Sequence, residues 1–206
     1  MTTHTLPFYK LKIKTSDESD TQMDFIALVD KPAIEIDWQK FAHQQKFSAD
    51  AERRLVMSPF MVADMPIYRR DETRGEFYVI FDKETIYEIV QKFFRKRFVN
   101  NFNAMHNDPA FLAKHNLPEK LDGIYLLESF IVDSSRGVSA PKAFEGISEG
   151  SWLGTVKIDN DVIWNNFIKT NTLQAFSIEG MFEYEKVGTE EEKVLQEIID
   201  IAKGGN

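Results

Sequence analysis

The chain has no cysteine among its 206 residues. Disulfides, thiolate metal sites and a cysteine nucleophile are thereby excluded, and the composition fits a reducing compartment. Basic charge is also short: 25 Lys and Arg stand against 33 Asp and Glu, for a net charge of −8. No face concentrates Lys and Arg, which argues against a dedicated nucleic-acid binder, because neutralising phosphates supplies most of that affinity. The Arg95-Lys96-Arg97 cluster reads as a solvated helix end. No apolar run approaches the roughly 18 residues of a membrane span, and Met1-Thr-Thr-His-Thr-Leu-Pro7 lacks the basic-then-apolar pattern of an export signal. The expectation is a protein that stays in the cytoplasm where it is made. Histidine is scarce, with four residues and no metal-ligand spacing, and neither a Gly-rich phosphate loop nor a nucleophile elbow is present. No metal or cofactor is called for. The 33 acidic residues make chance carboxylate pairs certain, so glycosidase chemistry has no specific support.

What the sequence does have is core-forming material. Hydrophobic residues make up 43% of the chain and 17 residues are Phe, enough for one globular domain over 1–206. Residues 8–14 alternate polar and apolar side chains at the strand period, and Phe25–Val29 is a short buried strand stopped by Asp30-Lys-Pro32. Phe41–Ala51 reads as a polar loop, and strands are expected over Arg54–Val62 and Glu76–Phe81. Ile86, Ile89, Val90, Phe93 and Phe94 form the stripe of an amphipathic helix over 83–98, with Asp82 as its N-cap. An extended piece over Asn100–His106, a Pro-containing loop to Asp122, a strand over Ile124–Val132 and a flexible loop over Asp133–Gly150 follow. Trp152–Ile158 is strand-like, Asn160–Lys169 a short helix and Leu173–Glu185 a long strand. Thr189–Lys203 closes the chain as an amphipathic helix, with Glu190, Glu191 and Glu192 in the first turn where the helix dipole favours them. Its face either covers the core or docks a second subunit, so a homo-oligomer is open.

Three residues stand out chemically. In the Leu173–Glu185 strand, Ala175, Ser177, Glu179 and Met181 share one face and Phe176, Ile178, Gly180, Phe182 and Tyr184 the other. Ser177 is a nucleophile on this face or a plain structural serine. His106, between an extended segment and a loop, is the best general base by elimination, because His4, His43 and His115 read as surface residues. Its bland alternative is a histidine bonding loop carbonyls. Glu128 shares a period-two face with Ile124, Leu126, Phe130 and Val132, an anomalous place for a charge unless it is paired or the face is solvated.

Segments in this order resemble the XkdF-like phage serine proteases, which are grouped with the herpesvirus assemblins and phage prohead proteases. The segments are Ala27-Leu-Val-Asp-Lys-Pro-Ala-Ile-Glu35, the run from Arg54 to Met61, Ile67-Tyr-Arg-Arg70, Phe77-Tyr-Val-Ile-Phe81, His106, Leu127-Glu-Ser-Phe-Ile-Val132, Gly150-Ser-Trp152 and Ala175-Phe-Ser-Ile-Glu-Gly180. The resemblance implies an α+β fold with a mostly antiparallel β-barrel-like core and packed helices. It implies a serine endopeptidase that cleaves scaffold and capsid precursors inside an assembling prohead, in the host cytoplasm, without a cofactor. Ser177 is then the nucleophile, His106 its base, and a third polar residue orients the histidine. An oxyanion hole would come from backbone N–H groups, with Arg136-Gly137 as the guess. One departure concerns the third member: the family's Glu-Val-Ser-Leu-Val…Pro-Ala string follows the serine, whereas the similar Phe25-Ile-Ala-Leu-Val29 comes first here, with Phe25 in place of the Glu. Glu128 is the first choice for that role and Asp24 the second.

Two other classes compete. One is a catalytically inactive, protease-like scaffolding component of the phage head that binds coat protein through the acidic C-terminal helix. The other is an unrelated hydrolase using carboxylates.

Overall fold

The computed structural model describes residues 6–16, 18–31 and 47–204, with side chains followed to residue 200. His4, His43, the 41–46 part of the expected polar loop, the Pro32–Glu35 end of the first resembling segment and the side chains of Ile201 and Ala202 lie outside the described residues. In chain order the elements are β1 (Phe8–Lys12), β2 (Gln22–Val29), β3 (Ser48–Asp50), β4 (Leu55–Met61), β5 (Ile67–Asp71), β6 (Gly75–Ile80), α1 (Lys83–Arg95) and β7 (Phe102–Ala104). They continue with α2 (Pro109–His115), β8 (Ile124–Ile131), β9 (Trp152–Ile158), α3 (Asp161–Ile163, running on as a π turn through Trp164–Ile168), β10 (Ala175–Met181), β11 (Glu183–Lys186) and α4 (Thr189–Gly204). The fold is α+β.

The strands of the described residues form three sheets, ordered β11-β1-β6-β5, β10-β2-β7 and β3-β4-β9-β8. Pairing is mostly antiparallel; only β1–β6 and β2–β7 are parallel. No closed barrel forms among the described residues. The sheets instead press their apolar faces onto one shared core, with Leu11, Phe77 and Val79 from the first sheet, Ile26, Leu28, Phe102 and Phe176 from the second, and Val56, Trp152 and Val156 from the third.

The helix expected over 83–98 forms over Lys83–Arg95, and the Asp82 carboxylate caps it by accepting from the Thr85 N–H at 2.9 Å. Ile86, Ile89 and Phe93 are buried, whereas Phe94 is exposed. Beside them the helix buries a charge that periodicity does not foresee. Lys92 is 1% exposed, and its ammonium donates to the carbonyls of Lys14, Ser19 and Thr21 at 2.9–3.1 Å. All three donors of the cation are thereby used, and the long connection from β1 to β2 is fastened to α1.

Four expectations change. Within the expected Phe41–Ala51 loop, Ser48–Asp50 forms β3 and pairs antiparallel with β4. The Asn107–Asp122 segment is not all loop, because Asp108 accepts from the Phe111 N–H at 2.7 Å and Pro109 occupies the first helical turn, where a missing N–H costs nothing. The long strand expected over Leu173–Glu185 breaks at Phe182, whose ring packs 5.2 Å from that of Phe81, so β10 joins β2 while β11 crosses to β1. The Asp133–Gly150 loop is built of short helical turns around a buried Phe144.

The last helix covers the core. Leu195 and Ile199 pack with Phe8, Tyr78, Ile80 and Val187, and Lys10 pairs with Glu191 at 2.7 Å, while Val194 and Ile198 point outward. Ile199→Asp places an unpaired charge in that seam and should cost about 3 kcal/mol or more. Ile198→Asp should change stability by less than about 1 kcal/mol. Urea denaturation of the two variants measures the contrast, and equal losses would mean that both faces of the helix are covered.

Candidate active site

Strand alternation sorts β10 into two faces. Phe176 and Ile178 go to the shared core with Ile26 and Leu28 of β2. Ala175 emerges on the opposite face, where it packs with Ala27, Val29 and Met105, and Ser177 and Glu179 follow it there at the strand period. Ser177 stands directly across from Ala27, and Ala27 across from Asn103 on β7. At the usual spacing of about 4.8 Å between strands, the serine and asparagine backbones are roughly 10 Å apart. Between them stands a single methyl group, against which Met105 packs, so the step between the two polar side chains is buried.

His106 reaches this face by a backbone device. In a continuing strand it would share a face with Ala104, which is fully buried in the core. Instead Met105, His106 and Asn107 adopt φ of 50°, 53° and 58°, a left-handed turn closed by the Asp108 N–H donating to Met105 O at 3.0 Å. Non-glycine residues resist this conformation by on the order of 1 kcal/mol each, asparagine least. The start of α2 at Asp108-Pro109 and the packing of Met105 against Ala27, Val29 and Ala175 oppose that cost. The outcome is that His106 Nδ1 lies 3.6 Å from Glu179 Oε2. The same carboxylate oxygen accepts from Asn103 Nδ2 at 2.7 Å. The histidine–glutamate contact is ion-pair distance, longer than a hydrogen bond. Ser177 is 5% exposed, and its hydroxyl has no hydrogen bond among the described residues.

The acid beside His106 is therefore Glu179, not Glu128. Glu128 is exposed on β8, and the face assigned to it by strict alternation is wrong because Leu127 is an extra residue in a β-bulge between Leu126 and Glu128. After the bulge it is Ser129, accepting from Trp152 Nε1 at 2.8 Å, that turns toward the core side. Gly154 makes the bulge feasible, since a Cβ there would lie 2.7 Å from the Glu128 carbonyl. The sequence carried the signal for Glu179, which is two residues from Ser177 and on its face.

Asp24 sits in a second bulge. Glu179 pairs with Phe25 and Gly180 with Met23, so Asp24 is the additional residue on β2. Its carboxyl is raised above the ordinary aspartate range, first by burial and further by the charge of Glu179, against the lowering effects of the Gln22 amide, which donates to it at 2.7 Å, and of Lys92. The hydrogen bonds of the 133–150 loop run to Ala63, Val132 and Ser151 and within the loop itself. His115, read as a surface residue, is half-buried with its ring between those of Phe111 and Phe167.

A cleft of about 270 Å³ runs beside this site. It follows the edge of β10, where Phe176, Ser177, Ile178 and Glu179 border it, with Phe60, Met61 and Met65 as the other wall; His106 does not line it. A serine, a histidine with a carboxylate at Nδ1, and an adjoining apolar cleft are the parts that acyl transfer to a serine requires. No family model matches the chain, and neither a curated protein nor a solved structure matches it.

Two outcomes follow from the second bulge. A Cβ on Gly180 would lie 2.1 Å from the Gln22 carbonyl oxygen, so Gly180→Ala must displace backbone and should cost roughly 2–3 kcal/mol in denaturant unfolding. For Asp24, a raised carboxyl favours the protonated form in the folded chain, so its contribution to stability is full below the unfolded value of about 3.9 and is lost as pH rises through the folded value. Asp24→Asn should therefore be as stable as the parent or more so at pH 7, with the difference shrinking below about pH 4. Thermal midpoints measured at both pH values decide it, and a variant less stable at pH 7 would reverse the sign.

Proposed function

We propose that this chain is a serine endopeptidase of phage head assembly, cleaving scaffold and capsid precursors within the prohead in the host cytoplasm. Ser177 acts as nucleophile, His106 as general base and Glu179 as the group that orients the histidine. The observations that support the reading are the contact of His106 with Glu179 and the place of Ser177 two residues from Glu179 on the same face of β10. The left-handed turn adds weight, because strained backbone persists where the surrounding structure enforces it for a task. The substrate class comes from the resemblance to the XkdF-like proteases.

In this mechanism the carboxylate at Nδ1 leaves Nε2 to take the Ser177 proton as the hydroxyl attacks the scissile carbonyl. His106 then returns the proton to the leaving amine, an acyl-enzyme remains, and water attacks it with the histidine again as base. β10 is the edge strand of its sheet and borders the cleft, which suits a substrate lying extended along it. Such a peptide would bring a carbonyl to Ser177 and direct alternate side chains against Phe60, Met61 and Met65.

One observation favours the alternative of an inactive scaffolding component. Ser177 and His106 share no hydrogen bond, although catalytic contacts are commonly loose before substrate binds. A fluorophosphonate probe separates the two, because only an activated serine reacts. The wild-type protein should be labelled at Ser177, and co-expression with its cognate capsid and scaffold genes should give precursor fragments visible by mass spectrometry. Ser177→Ala and His106→Ala should each abolish both signals. Glu179→Gln should slow labelling roughly 10²- to 10⁴-fold, by analogy with replacing the acid of a serine protease triad with its amide, while Glu128→Gln should leave it unchanged. A folded wild-type protein that resists the probe and leaves precursors intact would establish the scaffolding role.

A further inference from the structure

The polar face holds one more residue whose contacts exceed what packing alone asks of it. Asn103 is fully buried on β7, in register with Ala27 and, through it, with Ser177. Its Nδ2 donates to the Glu179 oxygen that faces His106, at 2.7 Å. Its Oδ1 is buried and has no hydrogen-bond partner among the described residues. A buried amide with its oxygen unmet is a poor choice for filling a core, since the desolvated carbonyl costs stability that an alanine or valine would not lose. The residue is therefore better explained by what its N–H group holds.

Glu179 needs holding. It is half-exposed, with three side-chain torsions, and only one of its oxygens is near His106. A glutamate in that position would divide its time among rotamers, and each one that leaves His106 releases the imidazole to either tautomer. Asn103 cannot make the same excursions, because it is enclosed on all sides, and so its amide is a fixed point against which the carboxylate settles. The spacing Asn103-Ala-Met-His106 is also explained. The left-handed turn returns the histidine over the strand it has just left, which places residue 106 above the face of residue 103.

The geometry points to Asn103 as the positioning residue of the site, acting on His106 through Glu179; this rests on the serine-protease reading given above. Asn103 touches neither substrate nor the reacting atoms. Its role is to keep the carboxylate at Nδ1, so that the proton stays on Nδ1 and Nε2 is left as the base toward Ser177.

The test uses the full chain and two readouts, one of which needs no activity. Long-range ¹H–¹⁵N spectra of the His106 ring report the tautomer, and the rate of fluorophosphonate labelling at Ser177 reports activation. Asn103→Ala and the similarly shaped Asn103→Leu, which lacks the donor, should both shift the ring from the Nδ1–H form toward a mixture and slow labelling about 10- to 100-fold. On a cleaved precursor peptide the loss should fall on kcat with KM little changed. Asn103→Ala combined with Glu179→Gln should be no slower than Glu179→Gln alone, since both remove the same arm. Should the buried substitutions fail to fold, Glu179→Ala at its half-exposed position still reports, because the Asn103 side-chain N–H protons should lose protection from exchange in that variant. A fall in melting temperature with tautomer and labelling unchanged, losses that multiply in the double variant, or Asn103 protons indifferent to Glu179 would each overturn the positioning role. Failure of wild-type labelling together with a tautomer shift in Asn103→Ala would keep the coupling and remove the protease reading, so the two failures are distinct.

Discussion

Everything on the polar face depends on β2 lying between an antiparallel and a parallel neighbour. Because β10 pairs on one side and β7 on the other, Ser177, Ala27 and Asn103 fall in one row across the sheet. The central position must be small. A larger side chain at 27 would fill the step between serine and asparagine and cover the floor over which His106 folds. The same strand meets the shared core with Ile26 and Leu28, both fully buried, so its register cannot slip by one residue without exchanging the apolar set for the alanine and valine that floor the site. Core packing and site geometry are thus fixed by one register.

Placement of the polar groups then comes from interruptions of regular structure. The bulge at Asp24 lets Met23 share the core with Ile26 and Leu28 while a carboxyl stays near Glu179, and Gly180 is the residue that permits it, since the opposing chain passes where a Cβ would be. The left-handed turn does the same for His106 by reversing its face. At β8 the bulge works in the other direction, turning Glu128 out to solvent and Ser129 toward Trp152. Each interruption is one residue or one turn long, yet each decides which side of a sheet a functional group occupies.

This explains what could be read from the sequence and what could not. Periodicity is a property of uninterrupted elements, so α1 with its Asp82 cap, β9 and α4 were legible, as was the division of β10 that puts Ser177 and Glu179 together. Interruptions leave no periodic trace. Strict alternation carried through Leu127 puts Glu128 on an apolar face, and nothing periodic marks Asp24 as the extra residue of a bulge. His106 was reachable by elimination among four histidines, but the partner of its ring depends on three positive φ angles in a row, and Met105 is not a residue type that advertises one. Asn103 gave no signal at all, because an asparagine in a short strand looks like any edge residue until β7 is known to be covered. Helix α2 was legible in principle from Asp108-Pro109 and was obscured by reading proline only as a breaker.

The exposure of the site bears on how it would work. His106 and Glu179 are each about two-fifths exposed, at 43% and 39% of their side-chain surfaces, so water screens their attraction, and an exposed pair of this kind contributes about 1 kcal/mol or less. In the reading proposed above, a peptide laid along β10 would cover the row from Ser177 to Glu179 and exclude that water. Electrostatic attraction to the imidazolium formed during attack would strengthen once the surroundings are less polar. The apolar wall of Phe60, Met61 and Met65 would then serve two ends, binding side chains of the substrate and drying the acid–base pair at the moment it is used. In that reading, a weakly paired site beside an incomplete apolar wall would keep Ser177 quiet until a substrate is in place.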